Sequence, residues 1–441
     1  MSSGQGYVYP NSIMRDLVEA HSALQLDGKP ALPPSSVLQR MLDVAFHASL
    51  MTEEGRKPRF RLAFCRKEEV LARHGANDPE QALWAIVFGQ ARKLDANDVL
   101  RLAPAADFRR SLIAVDTAGD GEANCLIWGM VDFGSSYWQM QRGESHFAHT
   151  PPRFLTISSF DTGSVVISVG EKVILRLEHG RLSYPLHPLT KGPVANFFKP
   201  VIEEMYQQER AGLEKYKVLL GQEGQYFPQV FYISFLLSVL SKILEESHGA
   251  LLIMQREPIT VEPQIEMSVK YPCAIDRAWD LLVKKGILVE AKSRLAFKQA
   301  EEADQMGPRS DGLSLASTIY HEASIDRALS DLSALIAQFS SVDGAVIVTD
   351  KLKILGFGAE LRTRDGGLPP VKRVRDNSGN DGKEIAFDSY GTRHRSAFRY
   401  CWNNPNSLAF IVSQDGGLKV AMRIGGEVRL WPDVEATAIS S

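Results

Sequence analysis

The sequence predicts an α/β protein in two parts: a strand-rich α/β N-terminal domain, followed by a mixed β-sheet flanked by helices. Three observations carry this. From Leu100 to Tyr184 the hydrophobic period is close to two, and glycine turns separate short apolar runs. From Phe231 onward, long segments of helical period alternate with short β-branched runs. Between them, Pro185 to Pro193 reads as a break. A chain of 441 residues has room for two or three domains. The pattern sets them at 1–190 and 230–435, with a helical connector over 191–229.

In the first part, Ser35 to Met51 has helical spacing and Phe60 to Cys65 reads as a short strand. Glu80 to Lys93, with Leu83, Ile86 and Val87, reads as a further helix. Strands are expected at Ser111–Val115, Cys125–Val131, Phe154–Ser158, Ser164–Ser168 and Val173–Leu177. Their close spacing implies an antiparallel meander. Asn196 to Leu220 is helical, with Phe197, Val201, Met205 and Leu213 roughly on one side.

In the second part, an apolar helix over Phe231–Glu246 leads into a buried strand at Ala250–Met254. Helical patterns follow at Trp279–Lys284 and Leu313–Phe339. Val346 to Val348 is a strand, and a long polar loop comes next. Ser396 to Trp402 can be helical. A hairpin over Leu408–Met422 and a strand over Glu427–Trp431 close the domain.

The net charge of −3 provides no global field for nucleic acid or an anionic membrane, so no direct nucleic-acid partner is expected. Cys65, Cys125, Cys273 and Cys401 lie far apart with no CxxC pair, which argues for reduced thiols rather than a zinc site. Met1 to Pro30 lacks an apolar leader core. Val230 to Leu240 is too short to span a bilayer. A cytoplasmic protein with no membrane partner is the expectation.

The chemistry concentrates at Gly391-Thr392-Arg393-His394-Arg395-Ser396. Two arginines and a histidine just after a Gly-Thr turn, at the start of a helix, place guanidinium forks beside free backbone N–H groups. That is an anion site. Upstream, Asp343-Gly344-Ala345 opens an apolar strand. A carboxylate at such a junction can hold a divalent metal or steer a hydroxyl. An acid with a phosphate clamp points to a nucleotide.

Four segments, in order, carry a family resemblance: His248–Ile253, Val342–Ile347, Gly391–Ser396 and Ala409–Ser413 with its glycine-rich turn. Over about residues 230–432 the chain resembles the diadenylate cyclase (DAC) domain, the nucleotide-binding domain of the DNA integrity scanning protein. Leu355-Gly-Phe-Gly-Ala-Glu360 and the strand-rich first half look most like the sensor-type DACNV branch. Nothing before about residue 225 is covered by these motifs.

The resemblance implies a DAC-like mixed sheet flanked by helices. It implies condensation of two ATP to cyclic di-AMP and pyrophosphate with Mg²⁺ or Mn²⁺, across a head-to-head dimer in which each chain brings half a site. Asp343 would bind the metal and help activate the ribose hydroxyl; Arg393, His394 and Arg395 would be catalytic. Gly344, Ala345, Gly391, Thr392, Ser396 and Ser413 would contact the nucleotide. The sequence departs from the family at Ser341-Val342, where many cyclases carry Leu-His, and at Gln414, where an acid often stands. The stretch from Asp343 to Gly391 is longer than usual and carries Arg362, Arg364, Lys372, Arg373 and Arg375. Two readings stay open: a diadenylate cyclase-like enzyme, or a non-catalytic nucleotide sensor signalling through the first domain.

Other features have plainer readings. Phe160-Asp161-Thr162-Gly163-Ser164 spells an aspartic-protease string, but no second such aspartate exists, and a hairpin turn is expected. His146 and His149 lack further metal ligands and precede Pro151-Pro152, so a loop is expected. Basic residues 362–375 are read as a solvated loop, with a phosphate-attracting lid as the alternative. Trp128, Tyr137 and Trp138 are read as core.

Overall fold

The computed structural model describes residues 7–434 apart from 25, 27–28, 54, 56, 74–82, 109, 118–124, 134–152, 171, 179, 216–227, 247, 258–266, 304–311, 362–368 and 414–416. His146, His149, Tyr137, Trp138, Arg362, Arg364 and Gln414 lie outside the described residues. The chain divides into two compact units, the first ending at Pro185 and the second running from Leu186.

In the first unit, helices α1 (Met14–Ala23) and α2 (Ser35–Ser49) precede strand β1 (Phe60–Phe64). Then come α3 (Lys67–Arg73), β2 (Trp84–Lys93), α4 (Ala96–Leu102), β3 (Ser111–Thr117), β4 (Cys125–Asp132), β5 (Leu155–Ser159), β6 (Ser164–Val169), β7 (Lys172–Glu178) and β8 (Arg181–Ser183). The sheet order is β2-β4-β3-β1-β5-β6-β7-β8. It is mixed rather than a pure meander, because β1 runs parallel to β3. Residues 84–93 form a strand where a helix was expected: Trp84, Ile86, Val87 and Phe88 are β-branched or aromatic, and their pairing with β4 overrides the local helical spacing. One face of the sheet packs Phe60, Leu62, Ile113, Val115 and Ile157 against Leu38, Met41, Leu42 and Ala45 of α2. Trp128 is buried and donates its indole N–H to the Cys65 carbonyl at 3.0 Å. The Phe160–Ser164 string is a turn between β5 and β6, with Gly163 at φ 67°.

The second unit begins with α5 (Pro193–Lys215) and α6 (Pro228–Glu245). The sequence places residues 193–215 in a connector; in the fold, Phe197, Phe198, Val201 and Met205 of α5 belong to this unit's core. Helix α6 is longer than its apolar run Val230–Leu240; its 18 residues are apolar enough to cross a membrane by composition, yet 72% of them are buried within the fold. Strands β9 (Ala250–Gln255) and β10 (Met267–Ile275) precede α7 (Arg277–Ala303) and α8 (Gly312–Phe339). Next come β11 (Ala345–Thr349), β12 (Ile354–Leu361), β13 (Val371–Val374), β14 (Gly382–Ile385), α9 (Thr392–Asn403), β15 (Ser407–Val412), β16 (Leu418–Ile424) and β17 (Glu427–Trp431). The expected polar loop before α9 thus contains three strands.

The sheet order is β10-β12-β11-β9-β15-β16-β17-β13-β14. Alternation along the central strands separates two cores. Leu252, Met254, Val346, Val348, Leu408 and Phe410 face the layer of α5 to α8. Leu251, Ile253, Ala345, Ile347, Ala409 and Ile411 face α9. The unit is therefore a mixed sheet flanked by helices on both faces, as the sequence predicts.

Candidate functional site

Strand pairing brings Asp343 to Ser413. β9 and β11 are parallel, with Leu251 opposite Ala345, so their heads share one sheet edge. β15 runs against β9 and ends with Val412 opposite Ala250. Gly249, Asp343, Gly344 and Ser413 therefore stand at the same edge.

Helix α9 is anchored at the opposite edge. The Tyr400 hydroxyl donates to Gln255 Oε1 at 2.9 Å, at the tail of β9. Arg423 Nη1, late in β16, donates to the Trp402 carbonyl at 2.6 Å. The helix is about 18 Å long at about 1.5 Å per residue, close to the roughly 20 Å that the strand covers. Its start consequently reaches the edge that holds Asp343. Ala397, Phe398, Tyr400 and Cys401 hold it down, while Thr392 and Arg393 stay exposed.

The helix start is uncapped and carries two arginines. Gly391 is extended (φ −65°, ψ 170°) and no side chain caps the helix, so its first N–H groups stay available. Among the described residues, neither Asp343 nor Arg393 has an ion-pair or hydrogen-bond partner. Among the described residues, the Arg395 side chain makes one long ion-pair contact, 3.9 Å, to the exposed Asp388.

His394 differs from expectation. It is half-buried against Tyr390 (ring centroids 5.0 Å) and Phe398 (6.2 Å), and among the described residues its buried Nε2 has no hydrogen-bond partner. Burial, and then the nearby Lys419 ammonium, push its pKa down to about 4. The ring is neutral at pH 7, so Arg393 and Arg395, not His394, supply the cluster's charge. A third cation, missed in the sequence, is Lys419 on β16, which donates to Ser413 Oγ at 2.6 Å. The period-two pattern of β16 was legible, but not that Lys419 lies beside α9.

Gly344 is packed closely against its neighbouring strand. At φ 119°, a Cβ there would sit 2.6 Å from the Gly358 carbonyl carbon. The close approach is to β12. Ala345 is buried in the core beneath α9. Thr392 and Gly391 are exposed at the edge, and Ser396 is half-buried one turn in. His248, also at this edge, shares a hydrogen bond with Ser341 Oγ at 2.8 Å and so ties the head of β9 to the segment before Asp343.

The described part of the basic stretch stands elsewhere. Lys372 and Arg373 lie on β13, paired with β17 and β14. That is five strand positions from β11, about 24 Å at the usual strand spacing. Lys372 and Arg429 line a cleft of about 590 Å³ there, together with Glu384 and Glu427. Among the described residues no three His, Cys, Asp or Glu side chains gather as a metal site. A divalent ion would have Asp343 as its protein ligand among them. That fits the way Mg²⁺ binds through one carboxylate plus substrate phosphates.

The fold and this edge define a two-unit α/β protein with an uncapped, arginine-bearing helix start at the sheet edge that carries Asp343. Comparison with known proteins places it further. Residues 27–132 match the family described as "Probable sensor domain DACNV". The match is to the sensor-type DACNV branch that the sequence resembles, and it falls in the first unit, which the C-terminal motifs did not cover. Among solved structures, a double-mutant form of DacA from Staphylococcus aureus is similar at 16% identity and a TM-score of 0.23, over 46% of this chain and 87% of that one. No curated protein matches.

Proposed function

We propose that the second unit is an adenine-nucleotide-binding, diadenylate cyclase-like domain of a cytoplasmic protein. One observation carries this: the uncapped start of α9, with Arg393 and Arg395, opens at the sheet edge that presents Asp343. The arginines and the free N–H groups would hold the triphosphate, with Ser413 and Lys419 beneath it. Two such edges, one from each copy in a head-to-head dimer, would set two ATP in line. The 3′-oxygen of each then bonds to the α-phosphorus of the other, and each Pα–O bond to pyrophosphate breaks. Asp343 orients the attacking hydroxyl and takes up its proton, and positioning supplies most of the rate. Neutral His394 carries no charge to the phosphates and serves as a hydrogen-bonding group. Bound Mg²⁺ or Mn²⁺ would neutralise phosphate charge next to Asp343.

The test is incubation with ATP and saturating Mn²⁺, followed by chromatography. Cyclic di-AMP should appear, and Asp343→Asn should abolish it while preserving the fold and nucleotide binding. No product at any protein concentration rejects the cyclase. The family match of residues 27–132 favours a second reading, a nucleotide receptor without turnover. It predicts tight calorimetric binding that depends on Arg393 and Arg395, with no product.

A further inference from the structure

The two sheets follow one path. In the second unit, β9 lies parallel to β11 and antiparallel to β15; β12 joins β11, β10 joins β12, and β16 and β17 continue from β15. In the first unit, β1 lies parallel to β3 and antiparallel to β5; β4 joins β3, β2 joins β4, and β6 and β7 continue from β5. Chain order and direction agree for all seven pairs. A helix precedes the first central strand in both, α2 before β1 and α6 before β9, and covers the face holding Leu62 and Leu252 respectively. The turn length agrees as well. Ser158 pairs with Val166 and Ile411 with Lys419, so the same number of residues closes each hairpin.

The registers then superpose the two edges residue by residue. With Ser158 placed on Ile411, Phe160 falls on Ser413 and Val166 on Lys419. The ladders of β1 and β9 carry the match across, placing Arg110 on Asp343 and Ser111 on Gly344. All four chemical positions have changed. The first unit's edge is instead tied by its own charges. Asp132 accepts from Ser111 Oγ at 3.1 Å and lies 3.1 Å from Arg110 Nε, and Lys57 meets Asp161 at 2.6 Å. Between β4 and β5, the sequence 133–154 carries Arg142, His146, His149 and Arg153 well apart, with no Arg-His-Arg string to match Arg393-His394-Arg395.

We infer that this chain carries one fold twice, and that the first copy has exchanged the nucleotide edge for an ion-paired one, so that nucleotide binds once per chain, in the second unit. An arginine in place of the acid can neither accept a hydroxyl proton nor hold a divalent cation. A phenylalanine in place of Ser413 removes a polar contact, and Val166 removes the third cation. The inference rests on the proposed nucleotide edge of the second unit.

Equilibrium dialysis of the full chain with Mg²⁺ and 3′-deoxyadenosine triphosphate, which lacks the attacking hydroxyl, tests it. One ligand per chain is expected. Arg393→Ala with Arg395→Ala should bring this near zero, while Arg110→Ala and Lys57→Ala should leave it at one. Two ligands per chain, or residual binding in the double variant that Arg110→Ala removes, overturns the inference and leaves the second unit's site standing. No binding by the unsubstituted chain overturns both.

Discussion

The Lys419 ammonium donates to the Ser413 hydroxyl at 2.6 Å across the mouth of the β15–β16 hairpin, beside the half-buried ring of His394. This ties the two strands at the hairpin mouth, and the ammonium adds to the burial that lowers the pKa of the ring. Lys419→Met should therefore raise the His394 pKa, followed by NMR titration of the ring, and weaken nucleotide binding about tenfold through loss of one charge-assisted contact. An unmoved titration would separate the two residues.

Arg393 and Arg395 should each cost about 10- to 100-fold in nucleotide affinity on replacement by alanine, the range for a hydrogen bond to a charged group. Both project from the partly exposed side of α9, so melting temperature should change little. Calorimetry paired with thermal denaturation checks both statements.

His394 makes stability depend on pH. An unfolded chain takes up this proton near 6.5, whereas the folded one waits until about 4. Between those values the unfolded state binds more protons, so stability falls as pH drops through the window. His394→Gln should flatten the melting-temperature profile from pH 6.5 to 4. An unchanged slope would assign the effect to other groups.

Gly344→Ala should destabilise the second unit by about 2–4 kcal/mol, because a positive φ and a backbone clash combine. The added Cβ meets Gly358 and Ala359 backbone atoms within 2.9 Å. Gly391→Ala is the control, since nothing lies within 4 Å of its Cβ. Urea denaturation of the two variants should separate them clearly.

Glu209 of α5 is buried, and among the described residues neither carboxyl oxygen has a hydrogen-bond partner. Burial pushes its pKa up to about 9. The folded chain keeps a proton that the unfolded chain loses near 4.5, so stability falls as pH rises through that window. Glu209→Gln should raise the melting temperature at pH 8 and leave it unchanged at pH 4.

Much was legible in the sequence because it is local. The helical period of Leu313–Phe339 and the glycine turns of the first sheet are properties of neighbouring residues. Residues 84–93 carry a helical spacing but form a strand, because edge pairing with β4 decides their conformation. What only tertiary structure decided depends on partners far away in the chain. It placed Lys419 under α9, made His394 neutral by burying it, turned Gly344 towards β12, and carried Lys372 and Arg373 to the far side of the sheet. It also set two strand ladders in the same register, a likeness without shared motifs. Charge state and register are set by neighbours in space, and a linear pattern contains those neighbours only once the chain has folded.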